Sequence, residues 1–261
     1  MTGGRRQRPR RGDAVSCRAM ATLVFQHHDI GTPGRLGAAL RDHGHRLLIV
    51  RPDLGEPVPR DLDGVEAVVS LGGPQNVDDA AEKYPWIQAE IDLLAQAHER
   101  MTPVVGVCLG TQLITAALGG EVAAMDAPEV GFCDVTLGPF GQTDVILSGQ
   151  AWKSLQFCHH SQQIVKAPAG AVTLASSERC SVQAFRAGLR TYAFQYHFEI
   201  EGDGVRKLVA SAPDDLHRAG VLESDIDKQM ESRYGAFDRL ARRLCVNIAM
   251  LLAPIERRVV A

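Results

Sequence analysis

The chain has 261 residues, 45% hydrophobic and 23% charged, an ordinary composition for a globular domain. Its formal charge of −3 offers no general attraction to nucleic acid or to an anionic membrane surface. The best candidate for a membrane helix is the C-terminal apolar stretch. Arg239, Arg242 and Arg243 interrupt it well short of the roughly 20 residues that span a bilayer.

Residues 1–20 crowd Arg5, Arg6, Arg8, Arg10, Arg11 and Arg18 among Gly and Pro, with almost no apolar side chains. A secretory signal would need an apolar stretch here, so the segment is expected to be a solvated, disordered extension. From residue 21 to 261 no linker divides the chain, and one domain is expected, with its core at 22–200 and a helical segment at 203–253. Leu23-Val24-Phe25 is a short first strand, followed by a Gly/Pro turn and a helix with Leu36, Ala39 and Leu40 on one face. Leu47 to Val50 is a second strand. Val65 to Leu71, a third, is nearly continuous in apolar residues, as expected for a parallel strand covered on both faces. Pro85 opens a helix carrying Trp86, Ile87, Ile91 and Leu94 at helical spacing, Pro103 to Val107 is a fourth strand, and a helix runs from Leu109 to about Leu118.

This alternation indicates an α/β fold with an open, mostly parallel sheet flanked by helices. The second half changes character. Short β-like runs at Val130–Leu137, Val172–Ala175, Val182–Phe185 and Thr191–Tyr196 have no long helix between them, which predicts a smaller mixed or antiparallel extension of the sheet. After Gly202 the pattern is helical, ending in a helix whose face is Phe237, Leu240, Ala241, Leu244, Ile248 and Leu251.

Six cysteines at 17, 108, 133, 158, 180 and 245 form no CxxC pair, which fits a reducing cytoplasm better than a disulfide scaffold. Cys158-His159-His160 is metal-like in composition only, and no structural metal or other cofactor is expected. His27-His28, at the end of the first strand, is expected to be packed or solvated, although it could line a site rim.

Only Cys108 has a reactive context. In Gly106-Val107-Cys108-Leu109-Gly110 an apolar strand ends and a helix begins at once, a nucleophile elbow with Cys in place of Ser. The helix N-terminus favours thiolate over thiol, and the Leu109 amide, left without an intrahelical partner, can donate to an oxyanion. In Gln195-Tyr196-His197-Phe198-Glu199 the i, i+2 spacing at a strand end puts His197 beside Glu199 on one face, a base with its orienting carboxylate. Ser70-Leu71-Gly72-Gly73-Pro74 places amides at the carboxyl end of the sheet, where open α/β folds bind ligands. A thiol version of an α/β-hydrolase is disfavoured, because that fold places its acid between the nucleophile and the histidine in chain order.

Gly72-Gly73-Pro74, the segment Gly106 to Gln112 and the segment Gln195 to Glu199 together resemble the class I, triad-type glutamine amidotransferase family. Smaller matches are Leu118-Gly119-Gly120, Glu129-Val130-Gly131 and Gln183-Ala184-Phe185. The resemblance spans roughly residues 22–200 and implies a flavodoxin-like sheet. It implies that Cys108 attacks the γ-carboxamide of L-glutamine, that His197 protonates the departing ammonia and that Glu199 orients His197. It also implies that Gly73 and Leu109 form the oxyanion hole, that Gly72 and Gln112 contact substrate, and that His160 and Ser161 lie in a substrate-contacting loop. A separate synthase chain would accept the ammonia. Two positions depart from the family pattern: Phe198 replaces the usual Pro, and Thr111 the usual His. Alternatives are a γ-glutamyl peptidase acting on γ-glutamyl conjugates and a non-catalytic binding module on the same fold.

Overall fold

The computed structural model describes residues 20–79 and 82–252, so the arginine-rich segment lies almost wholly outside the described residues. The first half follows the expected alternation: β1 (Ala21–Phe25), α1 (Gly34–Asp42), β2 (Leu47–Val50), β3 (Val65–Ser70), α2 (Trp86–Glu99), β4 (Val104–Val107) and α3 (Leu109–Ala117). There follow β5 (Glu121–Leu137), α4 (Pro139–Thr143), β6 (Lys153–Lys166), β7 (Val172–Ser176), β8 (Ala184–Ala187) and β9 (Thr191–Phe194). The chain ends in α5 (Gly202–Ser211), α6 (Pro213–Ala219) and α7 (Glu223–Leu252). No helix among the described residues is long and apolar enough to cross a membrane.

All nine strands form one sheet in the order β2-β1-β3-β4-β9-β8-β7-β5-β6. Its first five strands run parallel, from β2 to β9. The pairings from β9 outward are antiparallel. Alternation of side chains along each strand gives the sheet two buried faces. Val24, Val69, Val105 and Val107 pack with residues of α1 and α7, among them Leu36, Phe237 and Ile248. Leu23, Phe25, Val68 and Val104 pack with Leu93 and Leu94 of α2 and Leu109 and Leu113 of α3. The apolar runs of the parallel strands are continuous because helices cover both faces.

The antiparallel half differs from expectation in three places. β6, fourteen residues long, is absent from the predicted strands, and β5 begins nine residues before the predicted Val130. β6 reads poorly as a strand because Gln156, His159, His160 and Gln162 interrupt its apolar residues, yet all four are buried. Segment 158–162 is therefore strand rather than loop. Third, β9 ends at Phe194, so His197 and Glu199 stand beyond the strand that was expected to carry them.

The central turn is set by close backbone packing. The Gly110 amide donates to the Leu71 carbonyl at 3.1 Å, and a Cβ on Gly110 would collide with the Ser70 carbonyl oxygen. Gly110→Ala is expected to lower stability by about 3 kcal/mol through overpacking, read as the shift in denaturant midpoint. An unchanged midpoint would contradict this packing.

Candidate active site

The turn between β4 and α3 puts Cys108 in a conformation L-residues rarely adopt, with φ 50° and ψ −106°. Such a residue costs roughly 1–3 kcal/mol and persists only where its surroundings over-determine it. Here the Cys108 amide donates to the Phe194 carbonyl of β9 at 2.9 Å, and the Gln112 amide donates to the Cys108 carbonyl at 3.2 Å. Thr111, at the position where the family usually has His, is buried and donates its hydroxyl to the same Phe194 carbonyl at 2.7 Å. The elbow is thus fastened to the neighbouring strand from two sides. As the first residue of α3, Leu109 has an amide with no intrahelical acceptor, while its side chain is buried in the core.

β9 delivers His197. Immediately beyond it the His197 amide donates to the Phe157 carbonyl of β6 at 2.8 Å, which holds the segment across the end of the sheet. His197 Nδ1 donates to Glu199 Oε1 at 2.7 Å, so the side-by-side placement expected of a strand is reached by a bent segment instead. Phe198 turns away from the pair into the core, against Phe194 and Tyr196. The Glu199 carbonyl accepts the Arg35 amide at 3.0 Å, joining this segment to the start of α1. A Cβ on Gly72 would lie 2.8 Å from His197 Cε1 and 3.4 Å from Cys108 Cβ, so only glycine lets the loop pass between these two side chains.

Burial pulls the His197 pKa down, but Glu199 and Cys108 more than offset it, and the ring stays protonated well above its ordinary 6.5. The other buried thiols move away from reactivity. Cys133 and burial push Cys158 well above the ordinary thiol range, and burial raises Cys180 to about 11. Both lose nucleophilic character, because the thiolate is the reactive form.

A cavity of about 610 Å³ brings together Gly72, Gly73, Cys108, Gln112, His160, Ser161, His197 and Glu199. Of the residues predicted for the site, only Leu109 is outside its lining. His28 is on the rim, whereas His27 is fully buried. Several lining residues escaped the sequence reading. His159 accepts the Cys108 thiol through its carbonyl (Sγ to O 3.7 Å) and faces Asp215 of α6 at 3.4 Å through Nε2. Gln75 and Gln162 also line the cavity, and each has a buried side-chain oxygen without a hydrogen-bond partner. No spacing rule points to them, because Gln75 stands in the loop after β3 while His159 and Gln162 stand on β6.

His160 donates Nδ1–H to the Gln162 carbonyl at 2.9 Å and lies 3.1 Å from Glu129 through Nε2. Gln183 donates to the same carboxylate at 2.6 Å, and Ser177 at 2.8 Å. Glu129 and Gln183 belong to two of the smaller matched triplets, which carried no assigned role in the sequence. Glu129, Cys158 and His160 are the one grouping among the described residues with metal-ligand atoms within 4.8 Å of one another, and the carboxylate is already engaged by Gln183 and Ser177.

The His197 pair has a consequence for stability. A histidine whose pKa is raised by folding contributes stability in full below its unfolded value, and that contribution fades as pH rises through the folded value. Glu199→Gln is therefore expected to destabilise the protein most near pH 6 and progressively less as pH rises from there through the alkaline range. Thermal melts of both proteins across that range check it, and a gap that widens with pH would contradict the pairing.

The model of the glutamine amidotransferase class-I family matches residues 34–205. The glutamine amidotransferase-like protein YfeJ of Salmonella typhimurium is 29% identical over 192 residues, covering 73% of this chain and 80% of that protein. A glutamine-hydrolyzing GMP synthase subunit of Thermoplasma volcanium is 32% identical over 163 residues, covering 62% and 75% respectively. Among solved structures, a glutamine amidotransferase from Methylobacillus flagellatus superimposes with a TM-score of 0.79 at 24% identity, over 89% of this chain and 95% of that one. The chain belongs to the class I glutamine amidotransferase family.

Proposed function

We propose that this chain hydrolyses the γ-amide of L-glutamine through a Cys108–His197–Glu199 triad and delivers the ammonia to a synthase on another chain. The observation that carries the reading is the Cys108 elbow facing His197, itself bonded to Glu199 at 2.7 Å, in one cavity with the Gly72-Gly73 loop. Cys108 Sγ attacks the γ-carbonyl carbon, and the amides of Gly73 and Leu109 stabilise the oxyanion. Collapse breaks the C–N bond as His197 gives its proton to the leaving nitrogen, and a γ-glutamyl thioester and ammonia result. Water then attacks the thioester, His197 takes its proton, and glutamate leaves with the thiolate restored. Glu199 keeps the ring oriented and its charged form stable through both steps.

Gly72, Gln112, His160 and Ser161 are the residues we assign to holding the substrate. The unpartnered oxygens of Gln75 and Gln162 are acceptors suited to its α-ammonium group. The synthase assignment is supported by relatives named as glutamine-hydrolyzing GMP synthase subunits. Such a chain would meet this one in the cytoplasm, whose reducing conditions keep Cys108 a free thiol.

A second reading has its own support. The cavity runs past the triad along α5 and α6, where Gly204, Lys207, Leu208, Ser211 and Asp215 line it. That leaves room for a leaving group larger than ammonia, as in a γ-glutamyl peptidase. Glutamate release from glutamine and from a panel of γ-glutamyl amides separates the two, since strong preference for a bulky leaving group excludes an ammonia donor. With glutamine, Cys108→Ala is expected to lose at least about 10⁴-fold in kcat, while a glutamine-analogue electrophile labels wild type at Cys108. Equal rates in the two proteins would sink the triad, and absence of labelling would favour a non-catalytic binding module.

A further inference from the structure

A second charged network lies directly beneath the Gly72-Gly73 loop, and the triad makes no use of it. His27 and Glu90 are both wholly buried. His27 Nε2 is 2.8 Å from Glu90 Oε2, and the Ser70 hydroxyl donates to Glu90 Oε1 at 2.6 Å. His27 Nδ1 donates to the Leu71 carbonyl at 3.0 Å. A carbonyl only accepts, so Nδ1 carries a proton, and the carboxylate opposite Nε2 calls for the second. Trp86 stacks on the ring with centroids 5.0 Å apart and shields it from water.

A buried ion pair is weak as a source of stability, because the desolvation of each charge costs several kcal/mol and apolar residues often serve as well. What this pair holds is more informative. The Leu71 carbonyl receives both His27 Nδ1–H and the Gly110 amide of the elbow. On the far side of the loop, Gln75 Nε2 donates to the His27 carbonyl at 3.2 Å. Between those anchors, a Cβ on Gly73 would lie only 2.7 Å from His27 Cβ. The His27 imidazole therefore holds the loop at Leu71, while the backbone carbonyl and Cβ of the same residue meet it at Gln75 and Gly73.

We infer that His27, held by Glu90 and Ser70, is a positioning residue that aims the Gly73 amide at the developing oxyanion. The inference rests on the proposed glutaminase reading, in which that amide stabilises the oxyanion. An oxyanion donor acts only at hydrogen-bond distance from where the charge develops, so a small drift of the loop weakens the transition state more than substrate binding. The network also explains why the histidine two residues after β1 stands beside the partly buried Trp86 rather than in solvent.

Two substitutions separate aiming from mere support. An asparagine amide reaches about as far as Nδ1 and retains the donor to Leu71, whereas a glutamine amide reaches as far as Nε2 and retains the contact with Glu90. His27→Gln is expected to lower kcat for glutamine on the order of 10- to 100-fold with KM little changed, and to speed amide hydrogen exchange at Gly72 and Gly73. His27→Asn is expected to lose several-fold less in kcat, even though it leaves Glu90 worse paired and melts at lower temperature. Wild-type kcat in His27→Gln would overturn the inference, as would losses in both variants that follow melting temperature alone. A wild-type protein that does not hydrolyse glutamine would overturn the glutaminase reading and this inference with it.

Discussion

The turn at Cys108 is the constraint on which the site depends. A cysteine at φ 50° exists there because the chain reverses from strand to helix within one residue, with Gly110 pressed against the backbone of Ser70. That contact brings the β3 and β4 ends together, so the loop after β3 and the elbow after β4 share one wall. The Leu71 carbonyl, accepting from both Gly110 and His27, is the joint between them. Cys108, the loop glycines and the helix N-terminus are consequently joined by direct backbone contacts.

His197 arrives from the other side of β4. Because β9 pairs in parallel with β4, with Phe194 beside Val107, the segment after β9 emerges next to the elbow. It is then held by three backbone contacts, from Gln195 to Gln183, from His197 to Phe157 and from Arg35 to Glu199. These tie it to the start of β8, to β6 and to α1, which explains how a segment outside any strand keeps His197 beside Glu199. The antiparallel strands thus position the site as well as closing the sheet, since β6 supplies both the Phe157 carbonyl and the His159–Gln162 wall of the cavity.

Polar burial distinguishes the site from the core around it. His27–Glu90–Ser70 and His160–Glu129–Gln183 are two buried networks flanking the loop and the wall. At His27 both ring nitrogens are engaged, so the imidazole cannot rotate without leaving a group unpaired. Cys158 and Cys180, by contrast, are held as neutral thiols by their surroundings.

The parallel half of the fold was legible in the sequence because each strand there is a short apolar run bounded by Gly or Pro and followed by a helical period. The elbow was legible for a local reason: a strand ending in G-x-C-x-G with a helix directly after it has few other backbone solutions. His197 and Glu199 were found by their spacing, although the strand expected to carry them stops three residues earlier. What residue order could not show is everything decided by contacts distant in the chain. β6 is hidden because its amides and imidazoles are buried by partners on other elements, so its pattern is not that of a half-exposed strand. The distinction between His27, locked in the core, and His28, on the cavity rim, rests on Glu90 and Trp86 more than fifty residues away. Residue order alone determines the turn that carries Cys108 and the frame around it, since those follow from local backbone geometry. What surrounds Cys108 is decided by packing, because burial and hydrogen-bond partnership belong to the folded chain and not to any segment of it.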